Sequence, residues 1–237
     1  MPGQGRLRLA EDFPPWRANC HAPRVPPTAL WIAPALLAAW DWRAVATGDR
    51  RTETWAKPAT MVALIGTAAA LGALGSVEGR WLVGALALGL VGDVALLGSG
   101  LGRFRLGLAA FLLGHLGYVA CFASLGLPAP AWSWLGLVVL GGTLLATRQV
   151  LPATYRLDGP ALAVPVAAYT LVIGAMLLCG WWTGLGLVAA GASVFVVSDA
   201  TLAVDRFVGP LPRAHLVVMV TYHVGQALIT AGVLAAA

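Results

Sequence analysis

The sequence predicts an all-α, polytopic integral membrane protein of about eight transmembrane helices, and three observations predict it. Of its 237 residues 59% are hydrophobic and only 11% charged, with mean hydropathy +0.81, whereas soluble domains carry roughly a quarter charged residues. The apolar residues run on without alternation, which excludes a lipid-facing barrel and leaves the helix as the way to satisfy backbone groups in lipid. A span needs about 20 apolar residues to cross a core roughly 30 Å thick, so eight spans use most of the chain.

Residues 1–27 form a Pro/Arg-rich N-terminal tail without an apolar h-region, so the first span is expected to target the chain. Residues 28–237 form the transmembrane domain, with spans expected at 28–45, 58–75, 81–99, 104–126, 131–147, 160–179, 181–204 and 213–235. The second is expected to open on Pro58, at the first helical position, where a missing N–H costs nothing. The fifth and sixth carry no charge, and Pro165 is expected to kink the sixth. Gly126-Leu127-Pro128-Ala129-Pro130 separates spans four and five, and Cys179-Gly180-Trp181-Trp182 divides six from seven.

Trp31, Trp40, Trp42, Trp55, Trp81, Trp132, Trp134, Trp181 and Trp182 fall near the predicted ends, as an interfacial aromatic belt does. Ala110-x-x-x-Gly114 and Gly186-x-x-x-Ala190 are small-residue pairs expected to let helices approach. The net charge of +5 comes from 14 Arg and one Lys against 10 acidic residues. Those cations lie between apolar runs, so nucleic acid is not expected as a partner. The loops after spans one, three, five and seven hold most of them, which puts those loops in the cytoplasm by the positive-inside rule, although Arg6, Arg8, Arg17 and Arg24 in the tail oppose it. Cys20, Cys121 and Cys179 form no metal or disulfide pattern.

Two stretches resemble each other. Val91-Gly92-Asp93-Val94-Ala95-Leu96 precedes Arg103-Phe104, His115 and Tyr118; Val197-Ser198-Asp199-Ala200-Thr201-Leu202 precedes Arg206-Phe207, Tyr222 and His223. Four spans separate the copies, so the expectation is a parallel four-plus-four helix repeat holding Asp93 and Asp199 at similar depth. Carboxylates inside spans cost several kcal/mol and read as functional, roughly +3 kcal/mol each on insertion scales. Lys57, His115 and Tyr222 converge on the same half of the bilayer. Asp41 and Asp205 lie close to predicted span ends and are expected to be solvated, and His215 to be interfacial.

At these residues the sequence resembles the YhhN family of membrane proteins, which includes the lysoplasmalogenases. The resemblance runs from about Lys57 to Gln226. It rests on Lys57-Pro58, Gly92-Asp93-x-x-Leu96, Phe104-Arg105-Leu106-Gly107-Leu108-Ala109-Ala110-Phe111, His115 and Tyr118, Gly191-Ala192-x-x-Phe195-x-x-Ser198-Asp199, and Tyr222-x-x-x-Gln226. It implies an eight-helix hydrolase in a cell membrane, cleaving the vinyl ether of a lysophospholipid among membrane lipids, without a cofactor or metal. Asp93 and Asp199 are then the expected catalytic acid/base pair. Lys57, His115, Tyr118, Tyr169, Ser198 and Tyr222 are expected to bind substrate or support the pair, Lys57 by meeting the phosphate. Two other readings use the same residues: a proton-coupled carrier, and a metal-dependent lipid hydrolase built on Asp93, Asp199, His115 and His223.

Overall fold

The computed structural model describes residues 26–237, so nearly all of the expected tail, with Cys20 and its four arginines, lies outside the described residues. Eight helices follow in order: α1 (Ile32–Thr47), α2 (Arg50–Ala70), α3 (Val77–Leu96), α4 (Leu101–Leu125), α5 (Leu135–Ala146), α6 (Val150–Trp182), α7 (Gly186–Phe207) and α8 (Ala214–Ala236). There is no strand among the described residues. Five helices, α3, α4, α6, α7 and α8, are long and apolar enough to cross a membrane. The protein is an integral, multi-pass membrane protein. α1 and α5 are shorter, each entered through a 3-10 turn, Pro27–Trp31 and Ala131–Trp134.

Local chemistry sets several boundaries where the hydropathy did not. α2 begins at Arg50 because Asp49 caps it: its carboxylate accepts from the Thr52 amide at 3.1 Å and from the Thr52 hydroxyl at 2.6 Å. Pro58 therefore lies inside a running helix, not at its first position, and leaves the Thr54 carbonyl without an intrahelical donor. Lys57 is consequently a residue of the helix interior, turned inward and 7% exposed. α3 is capped in the same way by Ser76, which accepts from the Gly79 amide at 3.1 Å.

The break between α6 and α7 falls at Thr183–Leu185, not at Cys179–Trp182, because Gly184 takes the left-handed conformation (φ +74°) that ends the helix. α6 itself is interrupted at Asp158 and Gly159, just before Pro160. Pro165 leaves the helical backbone unbroken, so the kink stands nearly two turns earlier than expected.

α1, α2, α3, α4, α6, α7 and α8 follow one another around a ring that closes where α8 packs on α1, and α5 lies against α6 and α7. α8 also touches α2 and α3. The interior is filled by Met61, Leu82, Leu86, Tyr118, Phe122, Met176, Leu177, Phe195 and Ile229. Large apolar side chains such as Leu36, Val164 and Leu171 point outward, as lipid rather than water would require. In lipid no hydrophobic force draws helices together, so close packing does. Gly114 of α4 lies against Ala85 of α3, as expected from Ala110-x-x-x-Gly114. The other expected pair does not pack: Gly186 and Ala190 are exposed. α7 meets α8 through Gly191 and Gly225 instead. A Cβ at Gly191 would stand 2.7 Å from the Ile229 amide, and one at Gly225 3.0 Å from the Phe195 amide. Of the expected belt, Trp42 and Trp181 are half-buried donors between helices, to His223 and Ser193 respectively.

Candidate active site

Asp93 stands in the last turn of α3, 1% exposed. Its Oδ1 lies 3.2 Å from the Lys57 ammonium of α2, and its Oδ2 accepts from the Tyr222 hydroxyl of α8 at 2.8 Å. Gly89, one turn earlier, makes room: a Cβ there would meet the Tyr222 hydroxyl at 3.2 Å. Phe111 of α4 packs edge-on against Tyr222, with centroids 5.9 Å apart. One carboxylate thus joins three helices.

Asp199 of α7 accepts a hydrogen bond from the Tyr169 hydroxyl of α6. His115 of α4 presents Nε2 to it at 3.8 Å. The other ring nitrogen, Nδ1, lies 2.5 Å from the Phe111 carbonyl. A carbonyl only accepts, so Nδ1 carries a hydrogen, and Nε2 faces Asp199 with no hydrogen-bond partner. Tyr169 and Phe195 hold the ring edge-on, at 5.3 and 4.9 Å.

The two carboxylates share a cavity of about 190 Å³ lined by residues of α2 to α8. Lys57, Tyr169, Ser198 and Tyr222 line it with them. Most of its remaining wall is apolar, from α4, α5, α6 and α7, which suits an aliphatic chain beside a few polar groups. Two expected residues play other parts. Tyr118 donates to Gln226, tying α4 to α8, and does not line the cavity. The Ser198 hydroxyl donates to the Val218 carbonyl at 2.9 Å, so it braces α7 on α8.

A second polar cluster was not foreseen. Asp41 is fully buried, not solvated, because α1 continues to Thr47 and carries it inward against α8. His223 Nδ1 stands 4.0 Å from its Oδ2 and accepts from Trp42 at 3.1 Å. Nearer the helix ends, His215 bonds Glu53 at 2.9 Å. The signal was the Trp40-Asp41-Trp42 triplet, read as an interface when it is partly interior. His115 and His223 therefore serve different carboxylates, and among the described residues no three Asp, Glu, His or Cys side chains gather as a metal-ligand set.

A ring of membrane helices with two carboxylates on a largely apolar cavity defines a class: an integral membrane protein with a polar site among its helices. Comparison narrows it. The YhhN family matches residues 52–233, and the chain belongs to that family. It is 33% identical to human lysoplasmalogenase TMEM86B over 219 residues, 90% of either chain. It is 37% identical to rat lysoplasmalogenase TMEM86B over 160 residues, 63% of this chain and 60% of that one. It is 29% identical to a lysoplasmalogenase of Mycobacterium bovis over 177 residues, 73% of this chain and 67% of that one. No solved structure matches the chain.

Proposed function

We propose that this protein is a lysoplasmalogenase-like hydrolase, cleaving the vinyl-ether bond of a 1-alkenyl lysophospholipid to a fatty aldehyde and a glycerophosphodiester. The observation that carries the reading is two carboxylates in unlike surroundings on one largely apolar cavity. The lysoplasmalogenases among its relatives supply the substrate class. The expected eight spans are part of it, with the shorter α1 and α5 and the more polar α2 crossing beside the other five. So is the parallel repeat, which the crosswise partnering supports: Tyr222 of the second half serves Asp93 of the first, and His115 of the first faces Asp199 of the second.

The surroundings of the two carboxylates support one division of roles. Asp93, with an ammonium on one oxygen and a phenol on the other, acts as carboxylate. Asp199 has no lysine or arginine beside it and faces an unprotonated Nε2, so it carries the proton. Asp199 then protonates the vinyl β-carbon, and the oxocarbenium ion that forms is held by the Asp93 carboxylate. Water adds to the oxygen-bearing carbon of that ion as Asp93 takes its proton, giving the hemiacetal. In the collapse of the hemiacetal, Asp93 returns the proton to the leaving glyceryl oxygen and Asp199 recovers one from the hydroxyl. Aldehyde and alcohol leave, and both carboxyls are restored. Tyr169, Tyr222 and Lys57 hold the pair in place.

The test is turnover of an alkenyl lysophospholipid by purified protein in deuterium oxide, with products read by mass spectrometry. The expected aldehyde carries one deuterium on the carbon next to the carbonyl. Release of an aldehyde without that deuterium would contradict carbon protonation, and no release at all would contradict the hydrolase reading.

A further inference from the structure

The cavity lining also carries two arginines that the chemistry leaves unused. Arg206, in the last turn of α7, and Arg148, beyond α5, both line the cavity and are exposed. Neither has a carboxylate partner among the described residues. Arg206 lies over the Phe104 ring at 4.7 Å, and Arg148 reaches only the Leu145 carbonyl, at 3.2 Å. Lys57, the cation expected to meet a phosphate, is taken up by Asp93.

Asp199, Ala203 and Arg206 recur at helical spacing along one face of α7, and all three line the cavity. At 1.5 Å per residue, Arg206 stands about 10 Å along the axis from Asp199. In an extended alkenyl lysophospholipid, about seven bonds separate the carbon that takes the proton from the phosphorus, roughly 8 Å. The two spacings agree within the reach of an arginine side chain. A guanidinium at that distance, with a second on the same cavity lining, suits a phosphodiester, which such groups bind through paired hydrogen bonds.

We propose that Arg206 and Arg148 form a phosphate subsite one glycerol unit from the aspartate pair, selecting lysoglycerophospholipids over alkenylglycerols that lack the phosphate. This rests on the hydrolase reading for its substrate, but its test does not need turnover. The probes are 1-O-alkyl-glycero-3-phosphocholine, which has no vinyl ether to cleave, and 1-O-alkylglycerol. Their binding to the detergent-purified full chain is measured by calorimetry for the wild type, Arg206→Gln, Arg148→Gln, Arg206→Lys and the double glutamine variant.

The phosphocholine probe is expected to weaken by about tenfold in each single glutamine variant and further in the double one. Arg206→Lys should bind between wild type and Arg206→Gln, and the alkylglycerol should bind all five proteins alike. Equal weakening of both probes would make the arginines structural and overturn the proposal, as would unchanged affinity for the phosphocholine. Displacement of that probe by inorganic phosphate alone would show a free-anion site and would likewise overturn it. If the wild type binds as expected yet releases no aldehyde from the alkenyl lipid, the hydrolase reading fails while the subsite stands.

Discussion

Lys57 and Asp93 are two charges shut away from water, 3.2 Å apart and each nine-tenths buried or more. Removing one partner of such a pair leaves the other uncompensated, at a cost of about 3 kcal/mol or more, while removing both is tolerated. Lys57→Met should therefore lower the melting temperature in detergent, and Lys57→Met with Asp93→Asn should recover most of it. Neither variant should release aldehyde above about a hundredth of the wild-type rate, since the base is weakened or lost. A double variant no more stable than Lys57→Met would contradict the pairing. The pH dependence of kcat/KM should be bell-shaped, falling in acid as Asp93 takes up a proton and in alkali as Asp199 loses its own; a profile flat from pH 5 to 9 would contradict acid/base roles. At this scale Asp93 and Asp199 were legible because an apolar run makes a carboxylate conspicuous. Asp41 was not, because its environment depends on how far α1 continues past it, and neither was the bond from Tyr118 to Gln226, which links positions 108 residues apart.

Helix ends and helix contacts depend on caps and on single glycines. Thr52 donates to the Asp49 carboxyl from its hydroxyl and its amide, holding that group below its ordinary value of 3.8. A lowered folded value means the cap is fully present above the ordinary range and is lost as pH falls through the folded value. Thr52→Ala should thus weaken amide-exchange protection in the first turn of α2 at neutral pH, and change little in strong acid; protection unaltered at neutral pH would contradict the cap. In the α7–α8 contact, Gly225 has no space for a side chain: a Cβ would come within 3.0 Å of the Phe195 amide. Gly225→Leu should cost at least about 2 kcal/mol by overpacking, seen as a lower melting temperature, while Gly186→Leu on the exposed face should leave it nearly unchanged. The eight helices were legible from hydropathy alone. Their starts and the α7–α8 seam were not, because Pro58, Gly186 and the Cys179–Trp182 stretch look like boundaries or seams in sequence. Asp49, Gly184 and Gly191 hold those positions in the fold.

The whole molecule is a ring of helices that encloses a polar site near one end of an apolar bundle. The sequence carried the expectation that polar residues of several spans converge, and Lys57, Asp93, Tyr169, Asp199 and Tyr222 do line one cavity. The cavity itself was not foreseen, because its walls come from α4, α5, α6 and α7 together. Aldehyde release should survive excess EDTA, because the proposed proton transfers run through the two carboxyl groups alone; loss on chelation and recovery with a divalent metal would contradict them. A proton-coupled carrier would use the same carboxylates to move a solute, and uptake into proteoliposomes without turnover would favour it. The central claim is that Asp93 and Asp199 act as base and acid on a vinyl ether. Its most direct test is aldehyde release from an alkenyl lysophospholipid by purified wild type, Asp93→Asn and Asp199→Asn, each first shown to be folded by helical circular dichroism and a single gel-filtration peak. The account predicts release by the wild type and a loss of about a hundredfold or more in each variant. Full release by either folded variant would contradict it.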